Sequence, residues 1–414
     1  MDIFTLEPLP ARHGDCLLLH YGPATQPRTV LIDGGPSQVY EDFLKDRLGK
    51  LAANRPGGPF RIELMMVSHI DDDHVIGLLD FTEEWRNAHD DERSWPWPVD
   101  ELWHNTFERI AGGDPDAVQA SITASFGVAN LAEIADREAP DHDVEANFLV
   151  LASVAKGARL RRDAEKIGIP INTGFDGLVL PAADRKAIPF DGKFELHVVG
   201  PLPDQIEALR RKFATDLPKG VSASLAAYED ESIPNLSSIV VIARYDDKSI
   251  LLTGDARGDF VLEGLSQQGL LNSEGRLHVD ILKLQHHGSI RNTEVDFFQR
   301  ITADHYVASA NGKHENPDRE TFELLTGARP KTDRYVIHLT YDIDVIDKAR
   351  KSEREASIRS ALAKHRTPPP TWDDDVDALS TFFARRRSEG FAFEVTTPSS
   401  RTTACIDLLT KVSY

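Results

Sequence analysis

Cysteine is almost absent from this 414-residue chain, with only Cys16 and Cys405 present. A disulfide-stapled fold is thereby excluded. Both residues lie in apolar, strand-like stretches, so they read as buried thiols rather than as a bridge. Long hydrophobic runs are missing too. Stretches such as 238–243 and 250–253 are strand-length, far short of the roughly 20 residues a membrane-crossing helix needs. No transmembrane helix and no membrane partner are expected. The opening segment MDIFTLEPLPARHGDCLLL has no basic region ahead of its apolar run, so it does not read as a secretion signal, and a cytoplasmic location is the expectation. Basic charge is in deficit: 47 Lys and Arg against 67 Asp and Glu leave a net charge of −20. That balance argues against a protein that coats duplex nucleic acid, which needs a basic face. No internal repeat of solenoid period is present.

What remains is an ordinary globular composition, 41% apolar and 28% charged, on a chain long enough to bury a sizeable core. Residues 2–6, 16–21 and 29–33 read as a β-meander, closed by Gly34-Gly35. Residues 64–68 form a short apolar strand that runs into an acidic, His-flanked loop, and 75–85 then carry helical spacing. The stretch 108–230 reads as a mostly helical insertion or lid, with a helix over 143–166 and a strand and helix at its end (194–199 and 204–213). After Pro234 strand and helix alternate again, as layered sheets flanked by helices do. At the end come a charged helix (353–364), a stiff Pro368–Pro370 linker and the acidic run Asp373–Asp375, which reads as a solvated helix start. The expected division is a main domain over 1–345 and a helix-and-strand extension over 346–414.

Three segments carry chemistry. Ser68-His69-Ile70-Asp71-Asp72-Asp73-His74 places five potential metal ligands within six positions directly after a strand. A turn there can aim imidazoles and carboxylates at one point, as a metal-binding loop does. A solvated acidic loop explains Asp71–Asp73 alone but not the flanking histidines. In Leu251-Leu252-Thr253-Gly254-Asp255 an apolar strand ends in a carboxylate, a pattern that is also a common turn. In Leu282-Lys283-Leu284-Gln285-His286-His287-Gly288-Ser289 a strand runs into paired histidines, which suits a ligand or proton-transfer role.

Together these motifs, in this order, resemble the metallo-β-lactamase superfamily of binuclear metal hydrolases, and within it the ComEC-like (competence DNA-uptake) branch. Like that branch, the chain has Asp at the second ligand position, ends the last motif in His-His-Gly-Ser, and carries His13-Gly14-Asp15-Cys16 and Asp33-Gly34-Gly35 near its start. The resemblance covers residues 1 to about 105 and 234–345. It implies an αββα sandwich of two mixed sheets flanked by helices. It also implies two divalent metal ions, Zn or Mn, with His69 and Asp71 on one, Asp73, His74 and His286 on the other, and Asp255 bridging. His287 is then left for substrate phosphate or proton donation, so Asp73 and His287 are the expected catalytic pair. The superfamily's further histidine between the loop and the bridging carboxylate is not recognisable here. His104 and His197 are candidates, each also readable as a packed strand-end residue. The segment Ser309–Pro317 resembles a late loop of the same branch and, with Ser289, offers Lys313 and His314 as phosphate partners. Asn235 and Ser238 match a polar pair that braces the site.

Two bridged divalent ions lower the pKa of a shared water, so a hydroxide nucleophile exists near neutral pH. Asp71 in place of an imidazole shifts preference somewhat from Zn²⁺ toward Mn²⁺. The expectation is a metal-dependent phosphodiesterase or nuclease acting on a phosphodiester or nucleotide. The negative charge favours a small or single-stranded nucleic-acid substrate over duplex. Two alternatives are a lactone, ester or amide hydrolase on the same scaffold, and a non-catalytic module stabilised by metal.

Overall fold

The computed structural model describes residues 1–106, 109–110, 146–182, 184, 187–216, 237–400 and 404–414. The chain opens with β1 (Asp2–Pro8), β2 (Leu17–Pro23) and β3 (Arg28–Ile32), an antiparallel meander in register at Leu6–Leu19 and Leu19–Val30. After α1 (Lys45–Asn54), strand β4 (Leu64–Met66) adds parallel to β3. Helix α2 (Asp72–Asp90) and the parallel strand β5 (Leu102–Trp103) follow. Next come α3 (Ala146–Ile167), β6 (Ile188–Asp191), β7 (Phe194–Gly200), α4 (Pro203–Asp216), β8 (Val240–Tyr245) and β9 (Lys248–Leu252). Helix α5 (Gly258–Gln267), β10 (Leu277–Lys283), α6 (Val295–Arg300), β11 (Ile301–Ala308), α7 (Arg319–Ala328) and β12 (Val336–Leu339) continue the alternation. The last elements are α8 (Ile343–Ala363), α9 (Asp374–Asp377), α10 (Leu379–Ser388), β13 (Glu394–Thr396) and β14 (Ile406–Asp407).

The strands form two mixed sheets, one in the order β14-β1-β2-β3-β4-β5 and one in the order β13-β12-β11-β10-β9-β8-β7-β6. Alternation along each strand explains how they pack. Val30 and Ile32 join Phe4, Leu17, Leu19 and Met66 against Val241, Ile250, Leu252, Ile281 and Val307 of the other sheet, which makes the core between the sheets. Leu31 and Met65 point the other way, onto Leu48 and Leu51 of α1, Leu78 of α2 and Leu160 of α3. On the far face of the larger sheet Leu282, Tyr306 and Ile337 pack beneath α5, α6, α7 and α10. The architecture is therefore the αββα sandwich, each sheet with both faces buried.

Within 108–230, β6 and β7 are strands of the larger sheet. These two strands belong to the sandwich, β7 because Phe194, Leu196 and Val198 present a period-two apolar face to the opposite sheet. Helices α3 and α4 are described helical parts of that stretch; residues 111–145 and 217–230 lie outside the described residues. The segment after residue 346 crosses both sheets: β13 pairs with β12, and β14 pairs with β1. Cys16 and Cys405 form no disulfide.

Candidate metal centre

The chemistry-bearing residues gather at strand ends. Residue 69 follows β4, 255 follows β9, and 286 and 287 follow β10. Residues 73 and 74 lie in the first turn of α2. Asp71 takes the N-cap position of α2, and Asp72 and Asp73 fill its first turn, where the helix dipole favours negative charge. The Asp71 side chain makes no capping bond. Its carboxylate faces His69 Nε2 at 3.6 Å. The loop before β2 closes onto this turn, Asp15 N–H donating to the Asp73 carbonyl at 3.1 Å. Residue 14 must be glycine for that approach, since a Cβ there would sit 1.8 Å from the Asp73 oxygen.

Asp255 is the hub, 2% exposed. Four imidazole Nε2 atoms surround its carboxylate: His74 at 3.3 Å, His286 and His287 at 3.6 Å each, and His69 at 3.7 Å. His287 Nε2 also lies 3.2 Å from Asp73 and 3.2 Å from His74 Nε2. On three of these rings, those of His69, His74 and His286, the other nitrogen is hydrogen-bonded from behind. His74 Nδ1–H donates to Asp33 at 2.8 Å. Ser68 Oγ–H is committed to Asp33 at 2.7 Å, so the hydroxyl accepts from His69 Nδ1 at 3.1 Å. Asn292 gives its amide hydrogen to the Asp255 carbonyl, which leaves its oxygen to accept from His286 Nδ1 at 2.8 Å. Asp15 faces His287 Nδ1 at 3.6 Å and is itself paired with the buried Lys283 ammonium at 2.6 Å. The acceptors behind His69, His74 and His286 fix the hydrogen on Nδ1 and turn Nε2 inward, while Asp15 sets a negative charge on the Nδ1 side of His287 without a hydrogen bond to it.

Electrostatics follow from this crowding. Burial pushes the Asp255 carboxyl upward, but the surrounding imidazoles outweigh it and hold the group well below the usual carboxylate range. Burial likewise opposes ionisation of Asp15, which Lys283 and His287 overcome. His287 is raised to about 9, the fields of Asp255 and Asp15 overriding burial, and His74 is raised for the same kind of reason by Asp255, Asp33 and Asp73. The centre thus draws positive charge. Asp255 Oδ1 and His69 Nε2 are buried without a hydrogen-bond partner among the described residues. A cation suits such a donor set, whereas uncompensated burial of these atoms is costly. Asp15, His74, Asp255 and His287, and again His69, Asp73 and His74, offer ligand atoms within 4.8 Å of one another.

The remaining candidates fall in different places. His287, expected to stand beside the site, is inside it. Ser289 is turned away: its hydroxyl donates to Asp318 at 3.4 Å and accepts from Arg291 N–H, capping the 290–292 turn. The hydroxyl expected to meet a phosphate thus serves as the cap of the short turn after Gly288. His104 donates Nε2–H to the Gly157 carbonyl at 3.3 Å, and His197 pairs with Glu195 at 2.7 Å, so both are packed residues with other partners. Ser238 is buried beside the junction where Ile239 N–H donates to the Ser68 carbonyl, while Asn235 lies outside the described residues. The His314 ring packs edge-on to His13, centroids 5.4 Å apart. Burial above all, helped by Lys313, His314 and His287 and opposed by Asp73, lowers His13 to about 3. Two residue pairs here adopt left-handed backbone, His286 and His287 (φ 44° and 56°) and His314 and Glu315 (φ 56° and 65°). Such geometry in non-glycine residues concentrates at functional sites. The backing residues Asp15, Asp33, Ser68, Asn292 and Lys283 had no role assigned from sequence. Gly-Asp and Asp-Gly-Gly were visible as motifs, but nothing marked Asn292.

Residues 12–131 match the family model of the metallo-beta-lactamase superfamily. The chain carries a metallo-β-lactamase domain. Its sandwich and its His/Asp cluster are of the kind with which that superfamily performs metal-dependent hydrolysis. The chain is also 31% identical over 98 residues to ComE operon protein 3 of Bacillus subtilis (strain 168), a match that covers 23% of this chain and 12% of that protein. No described helix is long and apolar enough to cross a membrane.

Proposed function

We propose that this metallo-β-lactamase domain is a metal-dependent phosphodiesterase that holds two divalent ions. The observation that carries the reading is the convergence of four Nε2 atoms on Asp255, three of the rings hydrogen-bonded at Nδ1. Charge supports the number of ions. Asp15, Asp33, Asp71, Asp73 and Asp255 are five carboxylates in or behind the cluster, one of them, Asp15, paired with the Lys283 ammonium, and the four negative charges left over match two divalent cations. Asp73, His74 and His287 would hold one ion and His69, Asp71 and His286 the other, with Asp255 shared between them. His286 thereby supplies the ligand for which His104 and His197 were candidates. When bound, the ions acidify water and withdraw charge from the attacked centre. Asp71 in the donor set favours Mn²⁺ alongside Zn²⁺.

The chain's own residues do the rest. Asp33 holds His74 in one tautomer, so that this ring need not reorganise when substrate arrives, and Asp15 places a negative charge behind His287. Lys313 and His314 are assigned to the substrate phosphate, supported by the strained turn that carries them and its contact with His13. Phosphate is the class of substrate that suits an ammonium and imidazoles beside a metal pair. The net charge of −20 favours a nucleotide or a single strand over duplex.

The test is metal content of the purified chain together with bis(p-nitrophenyl) phosphate turnover in Mn²⁺ and Zn²⁺, for the parent and Asp73→Ala. About two ions per chain and activity lost in the variant are expected. Bound metal with hydrolysis of a lactone but not of the phosphodiester would overturn the substrate assignment, and absence of metal would overturn the whole reading.

A further inference from the structure

Lys156 lies on α3 and is 1% exposed, yet it takes no part in the centre just described. A buried ammonium is costly unless it is paired, and the partner of this one is specific. Its Nζ stands 2.6 Å from Asp72 Oδ1. Asp72 is the one acid of the 69–74 loop that is absent from the cluster around Asp255. The neighbouring residue, Gly157, touches the loop as well: a Cβ there would lie 3.3 Å from Ile70 Cγ2, while the Gly157 carbonyl accepts from His104. The loop is thus divided by side. Residues 69, 71, 73 and 74 face the centre, while the spacers Ile70 and Asp72 face α3. Further along, Arg159 pairs with Glu83 at 2.5 Å and Arg86 with Asp163 at 2.7 Å, which lays α3 along α2.

We propose that Lys156 is a positioning residue for the metal loop, holding the first turn of α2 from behind through Asp72 so that Asp71, Asp73 and His74 keep their aim. The pair has a second effect. Asp72 sits between two ligand carboxylates and, once released, would be free to turn inward and compete for the ion. Lys156 keeps it out. The proposal rests on the reading of the cluster as a divalent-metal site.

The test uses the full chain, stripped with chelator and titrated calorimetrically with Mn²⁺ and with Zn²⁺, and the melting temperature of each metal-free protein is taken as well. Lys156→Met and Asp72→Asn should each weaken metal binding by about 10-fold or more, the scale of losses behind metal ligands. The double variant should be no weaker than either single, because both remove one contact. Arg86→Met, which breaks a pair on the same helix interface but away from the loop, should lower the melting temperature and leave metal affinity unchanged. Should Lys156→Met not fold, Asp72→Asn carries the comparison. Metal binding that is unchanged in both variants, or that falls equally in Arg86→Met, would overturn the positioning role while leaving the metal site standing. A parent chain that binds neither ion would remove both.

Discussion

In three buried imidazoles of this protein the group behind the ring decides its charge. His74 and His287 have carboxylates behind and around them, and their field raises both above the ordinary histidine value. His104 has only a carbonyl to donate to, and burial pushes it down to about 4. The consequence for acid stability is directional. In the unfolded chain His104 takes a proton near its ordinary value of about 6.5, whereas in the folded chain it does so only near 4. Between those values the unfolded state binds more protons, so stability falls as pH drops from 6.5 toward 4, by about 3 kcal/mol for this group. Urea midpoints of chelated parent and His104→Gln at pH 7.5 and 4.5 check this. The variant should lose clearly less stability on acidification, and an equal loss would mean that His104 is not the group responsible.

At the level of elements, what could be read in advance was local. The meander, the strand-loop-helix around residues 64–90 and the two later strand ends all announce themselves within a dozen residues of sequence, because period-two apolar strands and acidic helix starts are short-range patterns. The division of labour between His286 and His287 was not legible. It depends on two successive left-handed residues, which turn His287 inward beside Asp73 while His286 remains partly exposed against Asn292. The backing residues were hidden for a different reason. A serine, an asparagine and two aspartates are individually commonplace, and only the fold brings positions 15, 33, 68 and 292 behind four rings. The turn at 312–315 is held in a comparable way by a distant element. From α8, Arg354 grips the Glu315 carboxylate and Arg350 donates to the Glu315 carbonyl at 2.9 Å. Arg354→Met should therefore release the turn carrying Lys313 and His314. The expected outcome is an unchanged metal stoichiometry with kcat/KM for the phosphodiester reduced about 10-fold through a rise in KM rather than through lost metal.

Across the whole molecule, the segment after residue 346 ties the layers together. Strand β13 extends the larger sheet, α10 lays Leu379, Phe382 and Phe383 on its outer face, and β14 then crosses to the smaller sheet. Ile406, 4% exposed, packs into the core between the sheets. Ile406→Ala should cost about 2 kcal/mol or more, the scale of a truncated core isoleucine, with metal binding unaffected at temperatures where the protein remains folded. A denaturant midpoint that does not move would show the final strand to be dispensable. The same pairing sets a schedule for a newly made chain. Thr5 donates to Asp407 at 2.7 Å across 402 residues of sequence, and at translation speeds of roughly 5–20 residues per second the two are born roughly 20–80 s apart. Throughout that interval β1 offers an unpaired row of backbone donors and acceptors, and completion of the first sheet is a race between β14 and any other extended segment that reaches that row first.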